Sequence, residues 1–365
     1  MKGFRRMGVC AATMLLATAT CTDAWAARVF GTYIATTTVA GTQALEYCMD
    51  TPAAGNAPRI LVLYHHGFQD YWSTANQLGA TTTTGPAGCS KDDPNTVMHD
   101  IRAADAGNQV VTVAFEYPND QGFPALAGAQ ASNQLRAQIL ADPRFAGIQR
   151  VVYFGVSMGG AVSGTALSEN TRAGGAPISD WVLAEPVTDV FETYSYAVLA
   201  NLVAPSLGFG AATSGIQQDT GQANPSFSAL WRRSPFWNAA AIGKSLTGRT
   251  TIIAGAFDAE VTPDQAIKLN TNLGLSGSPS HLTIVTKPAP AGSSDFSLVT
   301  VLCGVLGLNA SGCNSLPGHE DANDPVGPVM KEARSQLLNV IFGATPFVSG
   351  TELFDSSTGK RTQVR

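Results

Sequence analysis

The chain has 365 residues, of which 44% are apolar and 13% charged, enough to bury one large core as a single α/β domain of this size does. A net charge of -5 offers no basic surface for nucleic acid, and the five histidines are too scattered for a metal cluster, so neither nucleic acid nor a metal cluster is expected. Low charge with 37 Gly and 20 Pro in a normally apolar chain points to turns and long loops rather than disorder.

Residues 1–27 read as an export signal: Lys2, Arg5 and Arg6 precede an apolar stretch from about Met7 to Ala19, and Ala24-Trp25-Ala26 supplies small residues for cleavage. The stretch is too short to span a bilayer. Arg5-Arg6 is a pair common in ordinary signals, and Thr18-Ala19-Thr20 before Cys21 is a poor lipid-attachment site. The expectation is a secreted or periplasmic protein with no integral span in a mature chain of 28–365. Cleavage would remove Cys10 and Cys21 and leave Cys48, Cys89, Cys303 and Cys313. In an oxidising compartment these suggest two disulfides, with three pairings open. Cys303 with Cys313 is the preferred local loop, leaving Cys48 with Cys89; free buried thiols are the alternative.

Tyr33 to Val39 and Leu45 to Met49, separated by Ala40-Gly41, predict an antiparallel hairpin at an edge. Arg59 to Tyr64 is a continuous apolar run, as an interior strand requires, and it runs straight into His65-His66-Gly67-Phe68. After an irregular polar stretch, 95–106 has helical spacing, 109–117 reads as a strand and 125–141 as a helix. Val151 to Phe154 is the next buried strand. Gly155-Val156-Ser157-Met158-Gly159 follows it, and a helix begins there. Alternating helices and apolar strands imply a parallel sheet covered by helices.

Asp180 to Glu185 is a further strand. Residues 186–247 then break the rhythm with aromatics among Gly, Pro and Ser, Tyr196 and Trp237 included, and are too long for a plain connection. They are expected to form an inserted cap beside an apolar pocket; for most of these aromatics, a place in the cap's own small core is the simpler reading. Thr250 to Ala256 is a strand ending at Phe257-Asp258, followed by a helix through Leu273. His281 to Val285 is expected to be the last core strand. A loop insertion over about 287–317 leads to Gly318-His319, then a terminal helix ending at Phe342 and a polar, peripheral tail from Val348.

A Gly-x-Ser-x-Gly string alone occurs by chance in many proteins. Between a buried strand and a helix it allows the sharp backbone that lifts a serine hydroxyl above a sheet, with the helix N-terminus and the Met158 N–H beside it. A strand ending in His-Gly supplies a second backbone donor, assigned to Phe68, for an oxyanion; a plain turn at Gly67 is the alternative. With Ser157 first, Asp258 at a later strand end and His319 last, the order is Ser, Asp, His. Glu260, Asp264 and Glu185 are the competing acids. Among the other histidines, His281 begins a strand, His99 lies on a helix, and His65 and His66 belong to the His-Gly segment.

These four pieces, in this order and on these elements, resemble the α/β-hydrolase superfamily over about residues 30–345. The resemblance implies a mostly parallel sheet flanked by helices with an inserted cap. It also implies Ser157 as nucleophile, His319 as general base and acid, Asp258 as its partner, Phe68 and Met158 as the oxyanion hole, and no metal or organic cofactor. Ser157-Met158-Gly159-Gly160 is similar to secreted lipases and polyester hydrolases, whereas Ser234-Pro235-Phe236 is similar to the esterase and prolyl-oligopeptidase-like branches. The expected activity is hydrolysis of a small-molecule or lipid-like carboxylic ester. A prolyl-oligopeptidase-like peptidase and a catalytically silent binding protein are the alternatives.

Overall fold

The computed structural model describes residues 28–52, 56–68, 97–118, 122–203, 209–258, 260–286, 319, 327–343 and 346–364. The first 27 residues, the 287–317 insertion, Cys89, Cys303 and Cys313 lie outside them.

The hairpin reading holds. β1 (Val29–Thr37) and β2 (Gly41–Asp50) pair antiparallel around a turn that uses Gly41 at φ 68°. β2 then runs antiparallel to β4 (Val110–Phe115), so the hairpin forms one edge of the sheet. β3 (Ile60–His65), β5 (Arg150–Val156), β6 (Asp180–Ala184), β7 (Thr250–Gly255) and β8 (Ser280–Val285) continue it in parallel. The ten strands stand in the order β1-β2-β4-β3-β5-β6-β7-β8-β9-β10.

Strands buried on both faces read as near-continuous apolar runs, and each residue of β3, β4, β6 and β7 is buried. Alternate side chains serve two cores. Leu61, Leu63, Tyr153, Trp181, Leu183 and Ile252 pack with α2 (Ala125–Ala141), α3 (Met158–Arg172) and α8 (Pro263–Leu275). Ile60, Val62, Tyr64, Phe154, Val182 and Ile253 pack with α1 (Val97–Ala104) and α9 (Pro328–Phe342).

The sequence expectation fails at the tail. β8 is not the last strand: β9 (Gly350–Asp355) pairs parallel to it, and β10 (Lys360–Val364) closes the sheet antiparallel to β9. The tail's polar composition conceals this because its buried charge is neutralised within the sheet. Glu352 is buried, accepts hydrogen bonds from Thr283 and Arg361, and lies 3.3 Å from His281 Nε2. Arg361 in turn covers the Phe354 ring at 4.4 Å.

Residues 186–247 carry α4 (Val190–Val203), α5 (Phe209–Thr220), α6 (Phe227–Arg232) and α7 (Ala239–Ser245). α5 packs on α4 and touches α2, whereas α7 packs on α3 and α8. Cys48 is fully buried on β2 with its Sγ 3.8 Å from Met98 Sδ. Among the described residues no helix is long and apolar enough to cross a membrane.

Candidate active site

The carboxyl ends of β3, β5, β6 and β7 carry Phe68, Ser157, Glu185 and Asp258, and His319 comes later, between β8 and α9. Ser157 joins β5 to α3 at φ 52° and ψ -119°, outside the helical and extended regions, and such strain costs on the order of 1–3 kcal/mol. The surroundings over-determine the corner. Ser157 N–H donates to Ala184 O at 2.9 Å, its carbonyl accepts from Gly160 N–H at 2.8 Å and from Val187 N–H at 2.9 Å.

Two glycines allow the close approach. A Cβ on Gly155 would lie 2.6 Å from both Gly159 O and Ser163 Oγ, and one on Gly159 would run into the His65 carbonyl and lie 2.8 Å from His66 O. The first turn of α3 therefore rests directly on the end of β3, which brings the His-Gly segment beside the serine corner. Ser163 Oγ donates to Gly159 O at 2.6 Å and accepts from Trp181 Nε1–H at 2.9 Å, fixing that turn from below.

His65 and His66 hold the segment in place. His65 Nε2 is 2.8 Å from Ser132 Oγ, and full burial drives its pKa down to about 3, so the ring stays neutral at all working pH. His66 stacks on Tyr117 at 4.1 Å, with Nδ1 2.9 Å from Gly67 O. Phe68 sits at the turn beyond them, its ring 6.2 Å from Phe123. Met158, wholly buried, is the first residue of α3. Both residues expected to give oxyanion donors thus flank the contact between β3 and the serine corner.

His319 joins Ser157 and Asp258. Its Nδ1 is 2.7 Å from Asp258 Oδ2 and its Nε2 is 2.9 Å from Ser157 Oγ. An ionised carboxylate only accepts, so Nδ1 carries a proton, and in the neutral imidazole Nε2 accepts from the serine hydroxyl. Asp258 is itself oriented: its Oδ1 accepts from the N–H groups of Glu260 and Val261, both at 2.8 Å.

The competing acids separate cleanly. Asp264 lies in the first turn of α8 and pairs with Lys268 at 2.5 Å, away from His319. Glu185 and Glu260 instead flank the histidine, with Glu185 Oε2 3.8 Å from Nδ1 and Glu260 Oε2 3.7 Å from Nε2. Burial disfavours the imidazolium, but the charges of Asp258, Glu185 and Glu260, with the hydrogen bond to Asp258, outweigh it and raise His319 well above the ordinary imidazole range. Desolvation raises Glu260 above the usual carboxylate range, with the imidazolium opposing and Asp258 reinforcing the shift. Tyr196 on α4 is raised by burial and by the charges of Glu260 and Asp258. In the sequence Tyr196 is one aromatic among many in 186–247, and nothing there marks it as facing the acid loop. Of the remaining histidines, His281 meets Glu352 at the start of β8 and His99 lies on α1.

A mostly parallel, helix-flanked sheet with a strained serine between a central strand and its following helix is the α/β-hydrolase fold, and this chain has it. No family model matches the chain, and no curated protein matches it. Among solved structures it is similar to a thermostable esterase from Pseudomonas putida ECU1011, at 19% identity and a TM-score of 0.51, over 90% of this chain and 89% of that one. It is also similar to an acylaminoacyl peptidase solved with Z-Gly-Gly-Phe-chloromethyl ketone, at 11% identity and a TM-score of 0.51, over 93% of this chain but only 45% of that one. At these identities the likeness is one of fold.

Proposed function

We propose that the protein is a serine hydrolase that cleaves carboxylic esters through an acyl-enzyme. The observation that carries this reading is the unbroken chain from Ser157 through His319 to Asp258, at 2.9 and 2.7 Å. Ser157 Oγ attacks the acyl carbon while His319 Nε2 takes its proton. The carbonyl electrons move onto the oxygen, and the N–H groups of Met158 and Phe68 are the donors assigned to receive it. As the tetrahedral species collapses, the bond to the leaving oxygen breaks and the imidazolium returns the proton to it. Water then repeats the sequence on the acyl group and frees Ser157.

An ester is the less demanding donor, because an alkoxide leaves with less protonation than an amine. The exposed apolar side chains of 186–247, among them Phe191, Leu199, Leu202 and Phe227, favour a moderately apolar acyl or alcohol group. Export with removal of residues 1–27, a cap over 186–247 and pairing of Cys48 with Cys89 and of Cys303 with Cys313 belong to the same proposal. Their support is the signal-like N-terminus and the four cysteines that remain beyond it.

The test is steady-state hydrolysis of p-nitrophenyl esters from acetyl to palmitoyl beside Ser157→Ala. Turnover of part of the series that disappears in the variant supports the ester reading, and the chain-length optimum sizes the pocket. Turnover of peptide amides with none of esters would replace it with the peptidase reading.

A further inference from the structure

The corner after β6 holds a carboxylate that the serine, histidine and aspartate do not require. Glu185 is wholly enclosed, with Oε2 3.8 Å from His319 Nδ1. Its backbone adopts φ 46°, which a residue with a side chain rarely does. The corner is fixed on both sides: Glu185 N–H donates to Ile253 O at 2.8 Å on β7, and the adjoining Ala184 carbonyl and Val187 N–H both bond the Ser157 backbone at 2.9 Å. A surface-facing glutamate would need neither the strain nor the tethering.

We propose that Glu185 is a positioning residue for the catalytic histidine, a second carboxylate that shares with Asp258 the Nδ1 side of His319 and accepts the Nδ1–H hydrogen bond when Asp258 is removed. The inference rests on the serine-hydrolase reading above. The two carboxylates approach from neighbouring strand ends, Asp258 from β7 and Glu185 from β6. Asp258 makes the hydrogen bond at 2.7 Å. From 3.8 Å, Glu185 needs a shift of only about 1 Å to make one. Until then it acts through its charge, which is strong where water is excluded.

The imidazolium formed during each turnover is therefore met by two anions on its Nδ1 side. The other groups facing it among the described residues are Ser157 Oγ from the β5 corner and Glu260 from the acid loop, and the charges of Asp258 and Glu260 also act on Tyr196 of α4. Removing the Glu185 charge stabilises the neutral imidazole relative to the imidazolium. The acidic limb of kcat/KM then moves to lower pH.

The experiment compares wild type, Glu185→Gln, Asp258→Ala and the double variant by kcat/KM against pH, with His319 titrated by NMR in the Ser157→Ala protein with and without Glu185→Gln. Alanine is used at position 258 because an asparagine amide could face Nδ1 with its own N–H groups. Glu185→Gln alone is expected to cost less than about tenfold in kcat and to lower both the acidic limb and the NMR pKa. In the Asp258→Ala background the same substitution is expected to cost at least about ten times more than it does in wild type. An unmoved NMR titration, or equal factors in the two backgrounds, overturns the proposal. If Glu185→Gln does not fold, Glu185→Asp carries the test. It keeps the charge and so the limb, but its shorter stem withdraws support once Asp258 is gone, and an Asp258→Ala/Glu185→Asp protein as active as Asp258→Ala overturns the proposal. The NMR readout needs no turnover, so failure of the serine-hydrolase reading, seen as undiminished activity in Ser157→Ala, is separate from failure at Glu185.

Discussion

Replacing Asp219 by alanine should destabilise the protein more than most single changes, because one buried ion pair fastens several helices together. Asp219 on α5 and Arg233 just beyond α6 keep 2% and 5% of their side-chain surface and meet at 2.6 Å. Asp219 also accepts from the N–H groups of Leu126 and Ala127, at 2.9 and 3.1 Å, in the first turn of α2, whose own N-cap, Pro124, offers no side-chain acceptor. Arg233 donates to the Asp219 carbonyl and to Ala229 O, while its own carbonyl accepts from Thr165 on α3.

Asp219→Ala leaves a buried guanidinium without its carboxylate and two helix N–H groups without an acceptor. Loss of one partner from such a pair costs about 3–5 kcal/mol, out of a total stability on the order of 5–15. Replacing both partners by apolar residues, as in Asp219→Leu/Arg233→Met, should cost less than Asp219→Ala alone. Urea unfolding of the variants reads the difference through the midpoint at constant slope. A loss below about 1 kcal/mol for Asp219→Ala, or a double variant as weak as the sum of its parts, would refute the reasoning.

Because His319 must be neutral to accept the Ser157 proton and its carboxylate neighbours hold it well above 6.5, kcat/KM should rise with pH through a limb above the ordinary histidine range; a limb at or below 6.5 contradicts this. His65 acts on stability instead. Its folded pKa of about 3 lies below the ordinary 6.5, so nothing is lost above pH 6.5, and between the two values the unfolded chain takes up a proton the fold refuses. Stability should fall by up to about 1.4 kcal/mol per pH unit in that window, and His65→Asn should flatten the slope by one proton in urea titrations; parallel slopes would rule this out. Deleting 346–365 should lower the unfolding midpoint and promote self-association by baring the edge of β8, which size-exclusion chromatography and urea unfolding would show; an unchanged midpoint and a monodisperse peak would contradict it.

The interior strands are legible because a strand covered on both faces is apolar along most of its length, as Ile60 to Tyr64 and Ile252 to Ala254 are. The serine corner was legible because only small residues fit where Gly155 and Gly159 touch their neighbours. The tail is opaque for the opposite reason: the partners of Glu352 are Arg361 within the tail and Thr283 and His281 more than sixty residues away, and no local pattern reports such neutralisation. The acid was ambiguous because β6 and β7 each end in a carboxylate, and both in fact reach His319. Their order of importance comes from distance, which sequence spacing does not contain.

The central claim is that Ser157 is a nucleophile activated by His319. Intact-mass analysis after treatment with a fluorophosphonate, with ester hydrolysis measured on the same samples, tests it most directly. One adduct mapping to Ser157 is expected in the wild type, none in Ser157→Ala, and a loss of about a thousandfold or more in kcat in that variant. Labelling at another residue, or hydrolysis that survives Ser157→Ala, would contradict it.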